Sequence, residues 1–372
     1  MKKTIVMTGG HLAPALAVIE EIKKSTDWEI AWIGRNYALE GQDLSSLEAQ
    51  VIPKLDIPFH TIDAGRLQRK YSRQTIPSLL RIPLGFYQSL ILLLKLKPSV
   101  IMSFGGYLSL PVVFAGWILR IPVVTHEQTV VSGLSNRLAG FFADNILISY
   151  QGSSLDFPHH KTILVGNPVR RSILEVKRKI ARPRLIYVTG GNQGSQTINQ
   201  TINAILPKIL NTFQVIHQTG QLDYKRSLNL LRKYKTYFTR KGEPNLGRRY
   251  RVFANVDPGE VAKILSRASI VISRAGANTV SEIAAVGVPA IFVPIPWSER
   301  GEQEKNAKML ARLGLAKVIQ QNRLTPKSLL SAINSMIEKP PNVRQIARAK
   351  RLINHNSASE IVKILKKFIE RE

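Results

Sequence analysis

Short apolar runs alternate along the chain with stretches whose apolar positions recur every three to four residues. This alternation predicts strands over residues 3–8, 29–33, 51–52, 99–103, 121–125, 145–149 and 162–165, and helices over 13–24, 76–96, 108–119 and 133–141. The strand runs are rich in Val, Ile and Leu and apolar on both faces, the pattern of a parallel sheet covered by helices. Residues 166–184, "GNPVRRSILEVKRKIARPR", break the alternation with a polar, basic stretch marked by Pro towards both ends. The pattern then restarts with strand 185–189, helix 195–208, strands 213–217 and 250–253, helix 258–266 and strand 269–273.

Two such series predict an α/β protein of two doubly wound, Rossmann-like domains facing across a cleft. The expected divisions are a domain over 1–168, a linker over 169–184, a second domain over 185–350, and a closing helix over 351–372 packing back on the first domain. Both halves open alike, "IVMTGGHLAPALA" and "IYVTGGNQGSQTINQ", each a strand, a Thr-Gly-Gly turn and a helix. That is a faint internal echo and not a solenoid repeat.

Composition narrows the chemistry. At 372 residues the chain exceeds what a single core usually covers. Cysteine is absent, which excludes disulfides, thiolate metal sites and cysteine nucleophiles. The seven histidines never fall at the i, i+4 spacing of a helical ligand pair, so no metal site is expected. A formal net charge of +28 favours anionic partners: nucleic acid, acidic phospholipid or phosphorylated substrates. Aromatics make up only 7% and are not interleaved with the basic runs, which argues against nucleic acid. Met1 leads straight into a strand with no cleavage-site pattern, so no secretory leader is expected. No segment has the roughly 18 apolar residues of a membrane span. The nearest, residues 76–98, is interrupted by Arg81, Pro83, Gln88, Lys95 and Lys97 and suits a helix lying on a membrane surface, with a buried amphipathic helix as the plainer alternative.

Ligands of open α/β sheets sit outside the carboxyl ends of the strands, so the turns after each strand carry the candidate chemistry. Thr8-Gly9-Gly10-His11 combines close backbone approach with the free N–H groups of a helix start, and His11 is placed to take a proton. Gly105-Gly106-Tyr107 and His126-Glu127-Gln128 follow two further strands, the latter pairing three polar side chains of different hydrogen-bonding type. Gly190-Gly191-Asn192-Gln193-Gly194 makes an anion cradle that fits neither a Walker pattern nor a dinucleotide fingerprint. In "SRAGANTVSEIAAVG", the small residues from Ala275 to Ala277 clear the start of a helix for a phosphate. Glu282 is then either a first-turn acid complementing the helix dipole or a carboxylate accepting two hydrogen bonds from a ribose diol. A nucleoside diphosphate satisfies the second geometry, with Gln303 and Asn306 reaching its sugar end.

Taken together, Thr8-Gly9-Gly10-His11, Gly105-Gly106-Tyr107, His126-Glu127-Gln128 with Gly133 and Asn136-Arg137, Gly166-Asn167-Pro168-Val169-Arg170, Gly190-Gly191-x-Gln193-Gly194, Ser273-Arg274-x-Gly276-Ala277 through Ser281-Glu282, and Gln303 with Asn306-Ala307 resemble the MurG family over roughly residues 4 to 320. The resemblance implies a GT-B glycosyltransferase that moves N-acetylglucosamine, with inversion, from UDP-N-acetylglucosamine to the muramyl C4 hydroxyl of undecaprenyl-linked lipid I. It implies no bound cofactor or metal, and residence at the cytoplasmic face of the cell membrane against an anionic lipid surface. His11 would be the general base, with Glu127 the second candidate. Thr8, Gly9, Gly10, Gly105, Tyr107, His126, Gln128, Thr129 and Arg170 would serve the acceptor side. Gly191, Asn192, Gln193, Val256, Arg274, Gly276, Ala277, Asn278, Thr279, Val280, Ser281, Glu282 and Gln303 would serve the donor. The chain departs from the family at Val6 and Met7, where glycines are usual, and at Thr129, Asn192 and Glu302. A GT-B transferase for another lipid, such as diacylglycerol, would share the donor half, and a GT-B nucleotide-sugar epimerase is a further alternative that lacks an obvious set of carboxylates here.

Overall fold

The computed structural model describes residues 3–37, 45–65, 75–240 and 248–370, with the side chains of 75–80 left aside. The chain forms two compact units, one of residues 1–170 and 354–372, the other of 171–353.

In the first unit, strands β1 (Thr4–Thr8), β2 (Glu29–Gly34), β3 (Phe59–Thr61), β4 (Val100–Ser103), β5 (Val123–Glu127), β6 (Asn145–Ile148) and β7 (Thr162–Leu164) form one parallel sheet in the order β3-β2-β1-β4-β5-β6-β7. Alternate side chains of β1 feed opposite cores. Ile5 and Met7 pack with Leu16, Ile19 and Trp32, whereas Val6 packs with Ile33, Ile101 and Val112. The final helix, Ser357–Ile369, enters the first of these cores through Ile361, Leu365 and Ile369, which share one face at i, i+4 and i+8.

The second unit holds β8 (Arg184–Thr189), β9 (Phe213–Gln218), β10 (Tyr250–Phe253), β11 (Ala268–Ser273), β12 (Ala290–Phe292) and β13 (Ala316–Val318), parallel and ordered β10-β9-β8-β11-β12-β13. Its core joins Ile186, Val188, Ile270, Ile272 and Ile291 to Ile198, Ile202 and Ile205 of the helix Gln196–Ile209. Residues 171–183 belong to this unit, and Arg178 donates to the backbone oxygens of Ala268 and Gly287.

Two local expectations change. Residues 51–52 are not a strand: Ser46 caps the helix Leu47–Val51 by accepting from Ala49 N, and Pro53 follows, so the edge strand moves on to Phe59–Thr61. β5 runs through His126 and Glu127, which pair with Leu147 and Ile148, so both belong to the strand end. Long helices at Gln221–Arg240, Glu302–Arg312 and Pro326–Glu338 complete the second unit.

Candidate functional site

Each sheet reverses its strand order once, between β1 and β4 in the first unit and between β8 and β11 in the second. Connections leave such a point in opposite directions, which opens a crevice at the strand ends. The four glycine-bearing turns of the sequence fall at these two places.

In the first unit, Gly10 N donates to Gly105 O at 2.9 Å, which joins the turn after β1 to the turn after β4. The contact requires glycine at Gly9, whose φ is +135° and where a Cβ would lie 2.8 Å from the Phe104 carbonyl carbon. Val6 and Met7 lie fully buried inside β1, and the close approach begins only after Thr8. His11 stands at the cap of the helix Leu12–Ser25 without a side-chain capping bond. Burial lowers its pKa to about 4, so its ring is neutral at physiological pH and able to accept a proton.

His126 is fully buried, with Nε2 3.1 Å from Gly166 O and 3.3 Å from Ser149 Oγ. Burial brings its pKa to about 4 as well, the Gly166 carbonyl opposing the shift and the nearby His11 adding to it. Glu127 is committed to its own loop. Oε1 accepts from Thr129 N (2.9 Å) and Thr129 Oγ1 (2.7 Å), and Oε2 from Gly133 N (3.1 Å) and Asn136 Nδ2 (2.9 Å). Burial pushes this carboxyl up, and the four donors pull it back down in part. Thr129 thus braces Glu127. The Tyr107 hydroxyl accepts from Arg35 Nη1 at 2.8 Å, and Arg35 Nε in turn reaches the buried Glu48 at 3.3 Å. Arg170, also buried, closes the first unit. Thr8 Oγ1, His126 Nδ1, Gln128 Oε1 and Asn136 Oδ1 are buried without a partner among the described residues. Buried polar atoms rarely stay unpaired, so this edge has the hydrogen-bonding capacity of a binding face.

In the second unit, Gly191 and Gly194 both have positive φ, +79° and +76°. A Cβ at Gly191 would meet nothing within 4 Å, whereas one at Gly194 would fall 1.9 Å from Thr219 O. Asn192 and Gln193 are exposed at the tip of this turn, and Ser195 caps the helix that follows. Gly276 caps the helix Ala277–Val286 without a side chain, and space beyond its Cα is open. That opening at the start of the helix is what an anion site needs. Asn278 and Thr279 are partly exposed there, Val280 is buried, and Ser281 donates back to Ala277 O at 2.9 Å. Glu282 lies beyond the first turn, which contains no acid, so a helix-dipole role does not account for it. Its charge adds to the burial that raises the Tyr187 pKa, which puts it beside the end of β8. Val256 is partly exposed just after β10. Gln303 Oε1 accepts from Ile295 N at 3.2 Å, and Asn306 Nδ2 donates to Ala275 O at 3.2 Å. Arg274 turns into the protein, with Nη1 2.9 Å from Val293 O and Nη2 2.7 Å from Gln321 Oε1.

Asn199, His217 and Gln321 escape the sequence-based list of site residues, and Asn136 enters the sequence reading only as part of the resemblance, with no role. Each acts through contacts 9 to 47 residues away along the chain, and only the Asn136 contact to Glu127 falls within a short motif. Among the described residues, no group of three or more His, Asp or Glu side chains is arranged to hold a metal ion.

Two parallel doubly wound units, each with glycine turns at its switch point, make the GT-B architecture, and the family matches make the chain a UDP-sugar glycosyltransferase. Residues 4–148 match the glycosyltransferase family 28 N-terminal domain and residues 185–365 the glycosyltransferase family 28 C-terminal domain. The chain is 33% identical over 382 aligned residues to the UDP-N-acetylglucosamine–N-acetylmuramyl-(pentapeptide) pyrophosphoryl-undecaprenol N-acetylglucosamine transferase of Legionella pneumophila (strain Corby), covering 98% of this chain and 97% of that one. It is 32% identical over 347 residues to a transferase of the same name from Bacillus thuringiensis (strain Al Hakam), covering 90% and 91%. The crystal structure of Acinetobacter baumannii MurG superposes with a TM-score of 0.65 at 24% identity over 98% of this chain and 99% of that one, a likeness of fold. The chain belongs to the MurG family of family 28 glycosyltransferases.

Proposed function

We propose that the protein transfers N-acetylglucosamine from UDP-N-acetylglucosamine to the muramyl C4 hydroxyl of lipid I, forming lipid II for peptidoglycan. The near full-length match to transferases of that name carries this reading. The open helix start at Gly276, with Glu282 further along the same helix, supports the donor half.

In this reading the second unit holds UDP. The first-turn N–H groups of Ala277, Asn278 and Thr279 receive the diphosphate, and Glu282 accepts from the ribose diol. Val256 lies against the uracil, Gly191 to Gln193 cover the phosphates, and Gln303 meets the sugar. The first unit holds the acceptor between Thr8-Gly9-Gly10-His11 and Gly105 with Tyr107, with His126, Gln128, Thr129 and Arg170 shaping the face behind. The acceptor oxygen forms its bond to C1 of N-acetylglucosamine as the bond from C1 to the diphosphate oxygen breaks, with inversion at C1. Neutral His11 takes the hydroxyl proton. The electron pair leaves on the diphosphate, where the helix start stabilises the developing charge. Glu127, saturated by donors of its own loop, acts by holding Thr129, Gly133 and Asn136 in place.

No helix among the described residues is long and apolar enough to cross a membrane. The helices Thr75–Leu96 and Ser109–Ile118 expose Tyr87, Ile91, Leu94 and Trp117 beside Arg81, Lys95 and Arg120. Apolar side chains rimmed by cations suit peripheral docking on an anionic bilayer, where an undecaprenyl-linked acceptor resides. The deciding experiment offers UDP-N-acetylglucosamine with lipid I and, in parallel, with diacylglycerol. A product from lipid I alone is expected, and a product from diacylglycerol alone would overturn the acceptor assignment.

A further inference from the structure

Arg274 belongs by sequence with the donor contacts, yet the residue is only 9% exposed and all three of its hydrogen bonds go to neutral protein oxygens. These are Val293 O at 2.9 Å, Pro294 O at 3.4 Å and Gln321 Oε1 at 2.7 Å. Three further contacts close a frame around the same loop. Ile295 N donates to Gln303 Oε1, Asn306 Nδ2 to Ala275 O, and Gln320 Nε2 to Glu304 Oε1 at 3.1 Å. The turn after β11, the loop after β12, the helix Glu302–Arg312 and the turn after β13 are thereby tied together.

The loop needs such a frame. After Val293 N donates to Ser273 O, the chain runs Pro294-Ile295-Pro296, and two prolines without N–H groups cannot extend the ladder. The carbonyls of Val293 and Pro294 both accept from Arg274 Nη1, and Gln321 Oε1 holds the second arm, Nη2, of the same planar fork. A lysine could not reproduce that fork.

We infer that Gln321 is a positioning residue for the donor sugar, acting through Arg274 on the loop 294–301, which Ile295 N ties to Gln303 at the start of the helix Glu302–Arg312. The inference rests on the reading that this unit binds UDP-N-acetylglucosamine. Loss of Gln321 leaves the guanidinium two carbonyl contacts and frees it to swing. The sugar-facing loop then loosens, while the uridine and diphosphate contacts on the helix Ala277–Val286 stay in place. Arg274 remains cationic throughout, since burial lowers its pKa only to about 10.

Calorimetric titration of the full chain with UDP and, separately, UDP-N-acetylglucosamine tests the inference without an acceptor. Gln321→Leu is expected to weaken UDP-N-acetylglucosamine about three- to tenfold, as for partial loss of a charge-assisted hydrogen bond, and to leave UDP within about twofold. Arg274→Lys should reproduce this split, and the double variant should be no worse than Arg274→Lys alone. Gln321→Glu, which keeps the acceptor oxygen, should rescue binding. Equal losses for the two ligands, no loss for either, or additive effects in the double variant would each overturn the positioning role. Failure of the unaltered protein to bind UDP-N-acetylglucosamine would remove the donor reading itself, and this inference with it.

Discussion

His217 Nε2 lies 2.9 Å from Asn199 Oδ1, with both side chains shut away from solvent behind the glycine turn of the second unit. Asn199 Nδ2 donates to Thr219 O and to Asp223 Oδ2, both at 2.8 Å, so its oxygen is the end that accepts and His217 carries its proton on Nε2. Nδ1 then faces the Tyr250 hydroxyl at 2.9 Å. The pair thereby fixes the Thr219 carbonyl, the wall against which Gly194 is packed.

That wall separates two glycines of one turn. Gly191→Ala carries only the strain of a left-handed residue, about 1–2 kcal/mol. Gly194→Ala adds a backbone clash at 1.9 Å, so its cost passes roughly 3 kcal/mol. Denaturant midpoints of the two variants, with UDP binding in parallel, should rank them in that order.

Stability should fall in acid through His217. Burial lowers its folded pKa to about 3 from 6.5, so between those values the unfolded chain binds a proton that the folded chain refuses. The contribution is complete above about pH 6.5. It is lost at up to roughly 1.4 kcal/mol per pH unit as pH drops towards 3. His11 and His126 act in the same direction down to about 4. Urea midpoints at pH 7.5 and 5 should therefore differ less in His217→Gln than in the unaltered protein, and an unchanged difference would refute the assignment.

The acid limb of kcat/KM, which reports the free enzyme, should lie nearer pH 4 than 6.5 if neutral His11 is the base. His11→Ala should lower kcat by about 100-fold or more, since positioned proton transfer contributes at least that much. Near-normal turnover would remove His11 from that role.

Glu282→Gln keeps one acceptor of two and should raise the KM for UDP-N-acetylglucosamine about tenfold, with the acceptor KM unchanged. Equal rises for both substrates would count against the ribose contact.

Leu94→Glu combined with Trp117→Glu removes two exposed apolar side chains from the proposed docking face. Full burial of each is worth about 1.5–3 kcal/mol, so partition onto anionic vesicles should fall by about tenfold or more, with UDP binding untouched. Flotation assays would show it.

Much of this was legible in order along the chain. The apolar runs of β1, β4, β8 and β11 and the glycine turns after them declare parallel strands and phosphate-sized approaches, because strand period and left-handed turns are local properties. Residues 51–52 misled because two apolar residues carry no period, and a capping Ser46 with Pro53 decides otherwise. Glu127 reads as a base by its motif, and its four donors become visible only in the folded loop. The sequence by itself determined the α/β class, the turns and the lone Glu282, since each is written within a dozen residues. Only the tertiary structure decided which turns share a switch point, that Arg274 faces Gln321 and the loop, and that His217 and Asn199 build the wall behind Gly194. Those relations join residues brought together by sheet order, which burial of the whole core selects and no short stretch encodes.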